Sequence, residues 1–126
     1  MLAVPVGSAG MSGSALAAND LDGKAVVCNC ADNWCPYGLI FEKGNVSRHS
    51  IEGYQIARDY TVEYQLQGTN RVLWTSNLIR NTLYRETLKH GETLKHGQTQ
   101  CTLSSKVGVQ RALEKFIDAA KTKNKI

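Results

Sequence analysis

The four cysteines constrain this chain more than any other feature of its sequence, because their spacing limits how the two ends of a domain can be joined. Cys28, Cys30 and Cys35 lie close together, and Cys101 lies far downstream. Cys28 and Cys30 are two residues apart in a predicted β-strand, so their side chains point to the same face and cannot easily bond each other. Each therefore needs a different partner.

Two disulfide pairings satisfy this condition, out of the three connectivities that four cysteines allow. We predict that Cys28 pairs with Cys101 and Cys30 with Cys35. The swapped arrangement, Cys28 with Cys35 and Cys30 with Cys101, remains open. Zinc binding is a further alternative, but the C-x-C-x4-C spacing lacks the C-x2-C pairs of common zinc motifs. We therefore predict no metal site and no cofactor.

The N-terminal segment favours export. Residues 1–19 contain no charged side chain, and the Ala-Leu-Ala-Ala sequence at 15–18 is typical of a signal-peptidase site. A basic n-region is missing, so we interpret residues 1–18 as the remnant of a signal peptide or a disordered tail. The prediction is a periplasmic or secreted protein, in which cysteines form disulfides. No other stretch approaches the ~20 apolar residues of a membrane span.

Residues 19–126 are enough for one disulfide-linked domain and too few for two independent cores. The chain has 15 Lys and Arg against 11 Asp and Glu, a net charge of +4. Its arginines are spread at wide intervals, whereas a nucleic-acid site needs a concentrated basic patch. We therefore expect a small-molecule or protein ligand and no nucleic acid.

Alternating apolar residues predict a largely β fold. Tyr60, Val62, Tyr64 and Leu66 alternate with polar residues and form the clearest half-buried strand. The fold class is α+β, a mainly antiparallel sheet or partly open barrel of about six to eight strands. The predicted strands cover residues 24–28, 37–43, 46–51, 60–66, 72–74 and 99–103, and residues 77–85 fit a strand or a helix, with the strand favoured.

One C-terminal helix is predicted over residues 105–123, packed on the sheet. Ser104 or Ser105 can cap its N-terminus. Five apolar residues fall on one face at helical spacing: Val109, Leu113, Phe116, Ile117 and Ala120.

The hexamer ETLKHG occurs twice in succession, at residues 86–91 and 92–97. An even insertion leaves every later side chain of a β-hairpin on its original face, whereas in a helix it would rotate the face by about 240°. The repeat therefore favours an extended arm or loop, and a chain lacking residues 92–97 is expected to fold. His90 and His96 are interpreted as surface residues, about 20 Å apart on a strand.

The candidate ligand-facing residues are the aromatic side chains Trp34, Tyr37, Tyr64 and Trp74. No motif identifies a catalytic site, so we favour a non-catalytic binding or inhibitor-like protein. The alternatives are a small hydrolase, with Glu63 and His49 as its candidate catalytic pair, and a module that binds single-stranded nucleic acid through aromatic residues and arginine.

The order of short motifs from Leu21 onward, LDGK-AVVC, GLIFEKGNV, IEGY, YRETLKHG and then QC before a C-terminal helix, resembles small secreted proteins of marine and related bacteria. The resemblance implies an exported β-rich protein with a disulfide between Cys28 and Cys101, and it implies no particular activity. Cys30, Cys35 and the second hexamer depart from that pattern, so the resemblance does not support a bridge between Cys30 and Cys35.

Overall fold

The computed structural model describes residues 21–29, 36–93 and 97–123. These residues form one antiparallel sheet of nine strands and one helix, which confirms the predicted combination but exceeds the six to eight strands expected. The predictions for residues 1–18, Cys30, Trp34, Cys35 and His96 lie outside the described residues. The elements are β1 (Ala25–Asn29), β2 (Pro36–Glu42), β3 (Asn45–Glu52), β4 (Gln55–Glu63), β5 (Gln65–Gln67), β6 (Arg71–Ser76), β7 (Ile79–Tyr84), β8 (Lys89–Glu92), β9 (Gln98–Ser104) and α1 (Lys106–Lys123).

The sheet curves into a nearly closed barrel. Its strand order is β4-β3-β2-β1-β9-β8-β7-β6-β5, so β4 and β5 occupy the two edges. Only Tyr64 separates these two strands along the chain, so the edges meet there. Every strand except those two pairs with a strand on each side, an arrangement that leaves little unpaired edge exposed.

One additional strand, β8, lies in the repeat region, and another arises where the sequence predicts a single strand. Alternation predicts one continuous strand over residues 60–66, but the structure breaks it at Tyr64, whose backbone N–H donates to the Gly44 carbonyl at 3.2 Å. The chain thereby passes from β4, which pairs with β3, to β5, which pairs with β6. The predicted face is nevertheless correct, because Tyr60, Val62, Tyr64 and Leu66 all contact the interior core.

A disulfide joins Cys28 in β1 to Cys101 in β9, across 73 residues of sequence. The two residues lie directly opposite each other in the β1–β9 pairing. This confirms the predicted link between the first and last strands and excludes the swapped arrangement. On the chain-entropy account, a closed loop of this length stabilises the fold by about 4 kcal/mol.

Helix α1 packs on the outside of the barrel. Ser105 caps it, because its Oγ accepts the Gly108 N–H at 3.0 Å. Val109, Leu113 and Ile117 of the predicted apolar face are buried, whereas Phe116 is 37% exposed. At Gly38 in β2 a Cβ atom would lie 2.2 Å from a Val109 methyl carbon, so glycine is needed for this close approach.

The interior of the barrel divides into two ends. The apolar end lies beside the β2–β3, β5–β6 and β7–β8 turns, and the polar end lies beside the β3–β4 and β6–β7 turns. Buried side chains fill the apolar end, including Leu39, Phe41, Val46, Val72 and Leu83. No helix among the described residues has the length and hydrophobicity of a membrane span.

Candidate functional site: the polar end of the barrel

The polar end contains an open pocket of about 280 Å³, which we call the polar mouth. Its side chains come from five strands, β3, β4, β6, β7 and β8, and Asn77 and Ile79 complete its wall. Convergence on one point follows from strand alternation, because every second residue of a barrel strand faces inward. The polar and aromatic residues of the mouth are Arg48, Asp59, Tyr60, Ser76, Asn77, Asn81 and Glu92.

A β-bulge brings Asp59 into the mouth. Arg48 lies opposite Tyr60, and the next residue of β3, His49, lies opposite Arg58, so Asp59 is the extra residue of β4. Such a bulge redirects a side chain that regular pairing would aim elsewhere. The Asp59 carboxylate accepts hydrogen bonds from the Arg48 guanidinium and from Ser50 Oγ, the latter at 2.9 Å.

Arg48 is held between two groups. Its guanidinium forms an ion pair with Asp59 and lies 4.4 Å from the centre of the Tyr37 ring, a cation–π arrangement. Its Nε atom is buried and has no hydrogen-bond partner among the described residues. The positive charge of Arg48 is therefore fixed in place and largely balanced by Asp59.

An aromatic layer formed by Tyr37, Trp74 and His90 lies beneath the mouth. Tyr37 Oη lies 2.6 Å from His90 Nδ1, and His90 Nε2 lies 2.8 Å from Asn81 Oδ1. Asn81 Nδ2 donates to the Ile79 carbonyl, which leaves its oxygen to face His90. The Trp74 ring stacks on the imidazole at 5.4 Å, with 10° between the planes.

These contacts assign the direction of the hydrogen bonds. The Asn81 oxygen can only accept, so His90 Nε2 donates to it. At the other ring nitrogen, Nδ1 faces the hydroxyl of Tyr37, whose pKa is raised to about 12 by burial. Burial also raises the pKa of Tyr60, whose oxygen accepts the Trp74 indole N–H at 3.0 Å.

Glu92 differs from the other charged groups of the mouth. Within the part of the chain that the structure describes, no hydrogen bond or ion pair reaches its carboxylate, while Asp59 is engaged by Arg48. The mouth thus contains two carboxylates and one guanidinium, so its excess charge is negative and resides at Glu92.

The structure divides the predicted ligand-facing aromatic residues between the two ends. Tyr37 and Trp74 belong to the aromatic layer, at 1% and 3% exposure. Tyr64 belongs to the apolar core, where its ring meets Phe41 edge-on at 5.2 Å.

The interpretation of His90 as a surface residue is wrong, because it is 2% exposed and lies inside the barrel. Strand β8 has four residues, and the inward side chains next to His90 are half-buried. The alternation of Leu88 and His90 with Lys89 is the sequence signal that could have predicted an inward His90. It spans only three residues, which is too short to distinguish a strand from a loop.

The residues proposed for hydrolysis do not meet. Glu63 is exposed and lies opposite Asn45, whereas His49 lies opposite Arg58 on the outer face of the barrel. Four residues of β3 separate those positions, about 13 Å. His49 contacts Ser47 at 3.0 Å, and its pKa is lowered by burial and then by the charge of Arg58.

The described residues contain no cluster of three or more His, Cys, Asp or Glu side chains arranged to hold a metal ion. Comparison with protein-family models, with curated proteins and with solved structures gives no match for this chain.

Proposed function

We propose that this protein is a small exported binding protein whose polar mouth holds a polar molecule of about monosaccharide size that carries one ammonium group. The observation that carries the proposal is the Glu92 carboxylate, which lies in an open pocket without a partner among the described residues. A ligand ammonium group would supply a charge-assisted hydrogen bond there. The neighbouring Ser76, Asn81 and Tyr60 offer groups that hydrogen-bond hydroxyls.

The dimensions of the mouth support a small ligand. Small barrels either fill their interior with side chains or hold one small molecule. Here the aromatic layer fills the barrel below the mouth, and the mouth itself has a volume of about 280 Å³. That volume corresponds to about nine groups of the size of a water molecule, at about 30 Å³ each.

Binding is better supported than hydrolysis. The candidate pair Glu63 and His49 lies on separate parts of the outer surface. Within the mouth, Asp59 is engaged by Arg48 and Ser50, which suits a structural carboxylate better than a base. The disulfide between Cys28 and Cys101 supports export, because such bonds persist in oxidising compartments.

The test compares two sugars that differ in one group, glucosamine and glucose, by isothermal titration calorimetry at a pH where the amine is protonated. We expect glucosamine to bind at least about tenfold more tightly, the factor that a charge-assisted hydrogen bond supplies. Glu92→Gln should remove this preference. Equal affinities of the two sugars for the unaltered protein would contradict the proposal.

The matched control is Glu63→Gln, which removes an exposed carboxylate outside the mouth. It should leave the preference for glucosamine unchanged. A preference that survives Glu92→Gln but disappears in Glu63→Gln would place the ligand on the outer surface instead.

A further inference from the structure

A second pocket, of about 250 Å³, lies at the opposite end of the barrel, and we call it the apolar pocket. It does not share any residue with the polar mouth. Its wall is formed mainly by Val26, Phe41, Val72, Leu83, Leu88 and Leu103.

The N-terminal turn holds one side of this pocket in place. Gly23 N–H donates to the Phe41 carbonyl at 2.8 Å, and Phe41 N–H donates to the Lys24 carbonyl at 2.9 Å. These bonds fix Leu21 in the wall of the pocket at 7% exposure. The opening is therefore shaped by backbone hydrogen bonds to β2.

Two leucines of the wall are unusual. Leu88 has a φ of 58°, a left-handed conformation that is costly for a leucine and is often retained at binding sites. Its backbone is held by hydrogen bonds to Tyr84 and Cys101, each 2.8 Å long. Leu103 is 63% exposed although it lines the pocket, so a ligand there would cover apolar surface that now faces water.

Among the described residues, the charged side chains that line the pocket are Lys24, Arg85 and Glu86, which we call its rim. Two of these side chains are positive and one is negative, so the rim has a net positive charge. This is the reverse of the polar mouth, where the excess charge is negative. An apolar wall beneath a positive rim matches a ligand with a hydrocarbon chain and an anionic head.

We propose that the apolar pocket binds a straight-chain carboxylate of about eight carbons, with its chain against Phe41, Val72 and Leu103 and its carboxylate beside Lys24. The length follows from the volume, because 250 Å³ holds about eight groups of about 30 Å³ each. This site is independent of the ammonium ligand proposed for the polar mouth.

The first test titrates hexanoate, heptanoate, octanoate and decanoate into the intact protein by calorimetry, below their aggregation concentrations. Each methylene buried should raise affinity about fourfold. The increase should stop near octanoate, when the pocket is full. An affinity that does not change with chain length would overturn the proposal, and so would a steady increase through decanoate.

The second test separates the head group from the chain. Heptylamine has the same heptyl chain as octanoate with the opposite charge, and it should bind at least about tenfold more weakly than octanoate if the rim selects an anion. Equal binding of the two compounds would overturn the assignment of the carboxylate to the rim.

Paired leucine variants locate the site. Leu103→Asp places a negative charge beside the pocket at an exposed position and should lower octanoate affinity at least about tenfold. Leu78→Asp changes a 95% exposed leucine at the polar end and should leave the octanoate affinity unchanged. Thermal unfolding verifies that both variants fold, and an equal loss in both would show that octanoate does not occupy the apolar pocket.

Discussion

The two ends of this barrel are built on the same strand alternation but differ in what holds their side chains together. At the apolar end, Phe41, Val72 and Leu83 pack without directional partners, and their stabilisation scales with the area removed from water. At the polar end, His90 and Asn81 are equally buried but depend on specific hydrogen bonds. We infer that the apolar end supplies most of the stability and that the polar end supplies the more specific recognition.

The largest expected effect tests that division directly. Phe41→Ala removes a ring that is 2% exposed and contacts Tyr64 and Trp74. We expect the free energy of unfolding to fall by about 3 to 5 kcal/mol, through lost burial and a residual cavity. Urea denaturation measures this loss.

The comparison variant at the polar end is Glu92→Gln. It preserves the shape of the side chain and breaks no hydrogen bond or ion pair among the described residues. The free energy of unfolding should therefore change by no more than about 0.5 kcal/mol. If Glu92→Gln were as destabilising as Phe41→Ala, the assignment of stability to one end would be wrong.

The next effect concerns the pH dependence of the polar end. The pKa of Tyr37 is about 12 in the folded protein against 10.0 as the ordinary value. Between those values the unfolded chain loses the phenolic proton and the folded protein keeps it, so stability declines as pH rises through this window. The full decline amounts to about 2 to 3 kcal/mol, and the raised pKa of Tyr60 acts in the same direction.

Urea denaturation across this pH range measures the decline. Tyr37→Phe should remove most of it, whereas Tyr54→Phe, which removes an exposed phenol, should not. A decline that is identical in Tyr37→Phe and the unaltered protein would show that the buried phenol is not its source.

Much of the apolar end was predictable from the sequence, and most of the polar end was not. Alternation in β2 and the helical spacing around Leu113 each reflect a strong, repeated signal, which predicts the sheet and the helix. The cysteine spacing alone left two pairings open, and the structure selects Cys28 with Cys101.

The polar mouth gives no comparable signal. Arg48 and Asn81 face into the barrel although they are polar. Inward positions are normally recognised by their apolar residues, so the sequence of each strand predicts a surface position for them. Asp59 reaches the mouth only through a bulge, which depends on the pairing of two strands. Closure at Tyr64 likewise depends on a contact with a distant turn.

The duplicated hexamer connects the polar end to a smaller expected effect. In the pairing of β8 with β9, His90 lies opposite Thr99 and Gly91 opposite Gln98. Deleting residues 92–97 would leave Gly91 and Gln98 as a two-residue turn, with glycine at the first central position as a type II′ turn requires. We expect His90 to keep its place and stability to change by about 1 kcal/mol or less.

The same deletion removes Glu92 and should abolish the preference for glucosamine over glucose. Denaturation and calorimetry on one sample measure both outcomes. Loss of cooperative unfolding would show that the second hexamer is needed for the fold, and a retained preference would show that the ligand does not depend on Glu92.

The smallest expected effect contrasts a turn at each end. In the β6–β7 turn, Asn77 and Leu78 both have positive φ, at 51° and 67°, and Leu78 is 95% exposed. In the β2–β3 turn at the apolar end, the second turn residue is Gly44, which also has a positive φ. Leu78→Gly relieves about 1 to 2 kcal/mol of left-handed strain in the folded protein. Glycine also raises the entropy of the unfolded chain, which lowers stability by about 0.4 to 1 kcal/mol. The free energy of unfolding should therefore rise by about 0.5 kcal/mol. A Cβ atom added at Gly44 would meet no atom within 4 Å among the described residues, and the reverse change, Gly44→Leu, should destabilise by a similar amount. Thermal unfolding of both variants measures the difference, and a loss of stability in Leu78→Gly would mean that this exposed leucine stabilises the polar end.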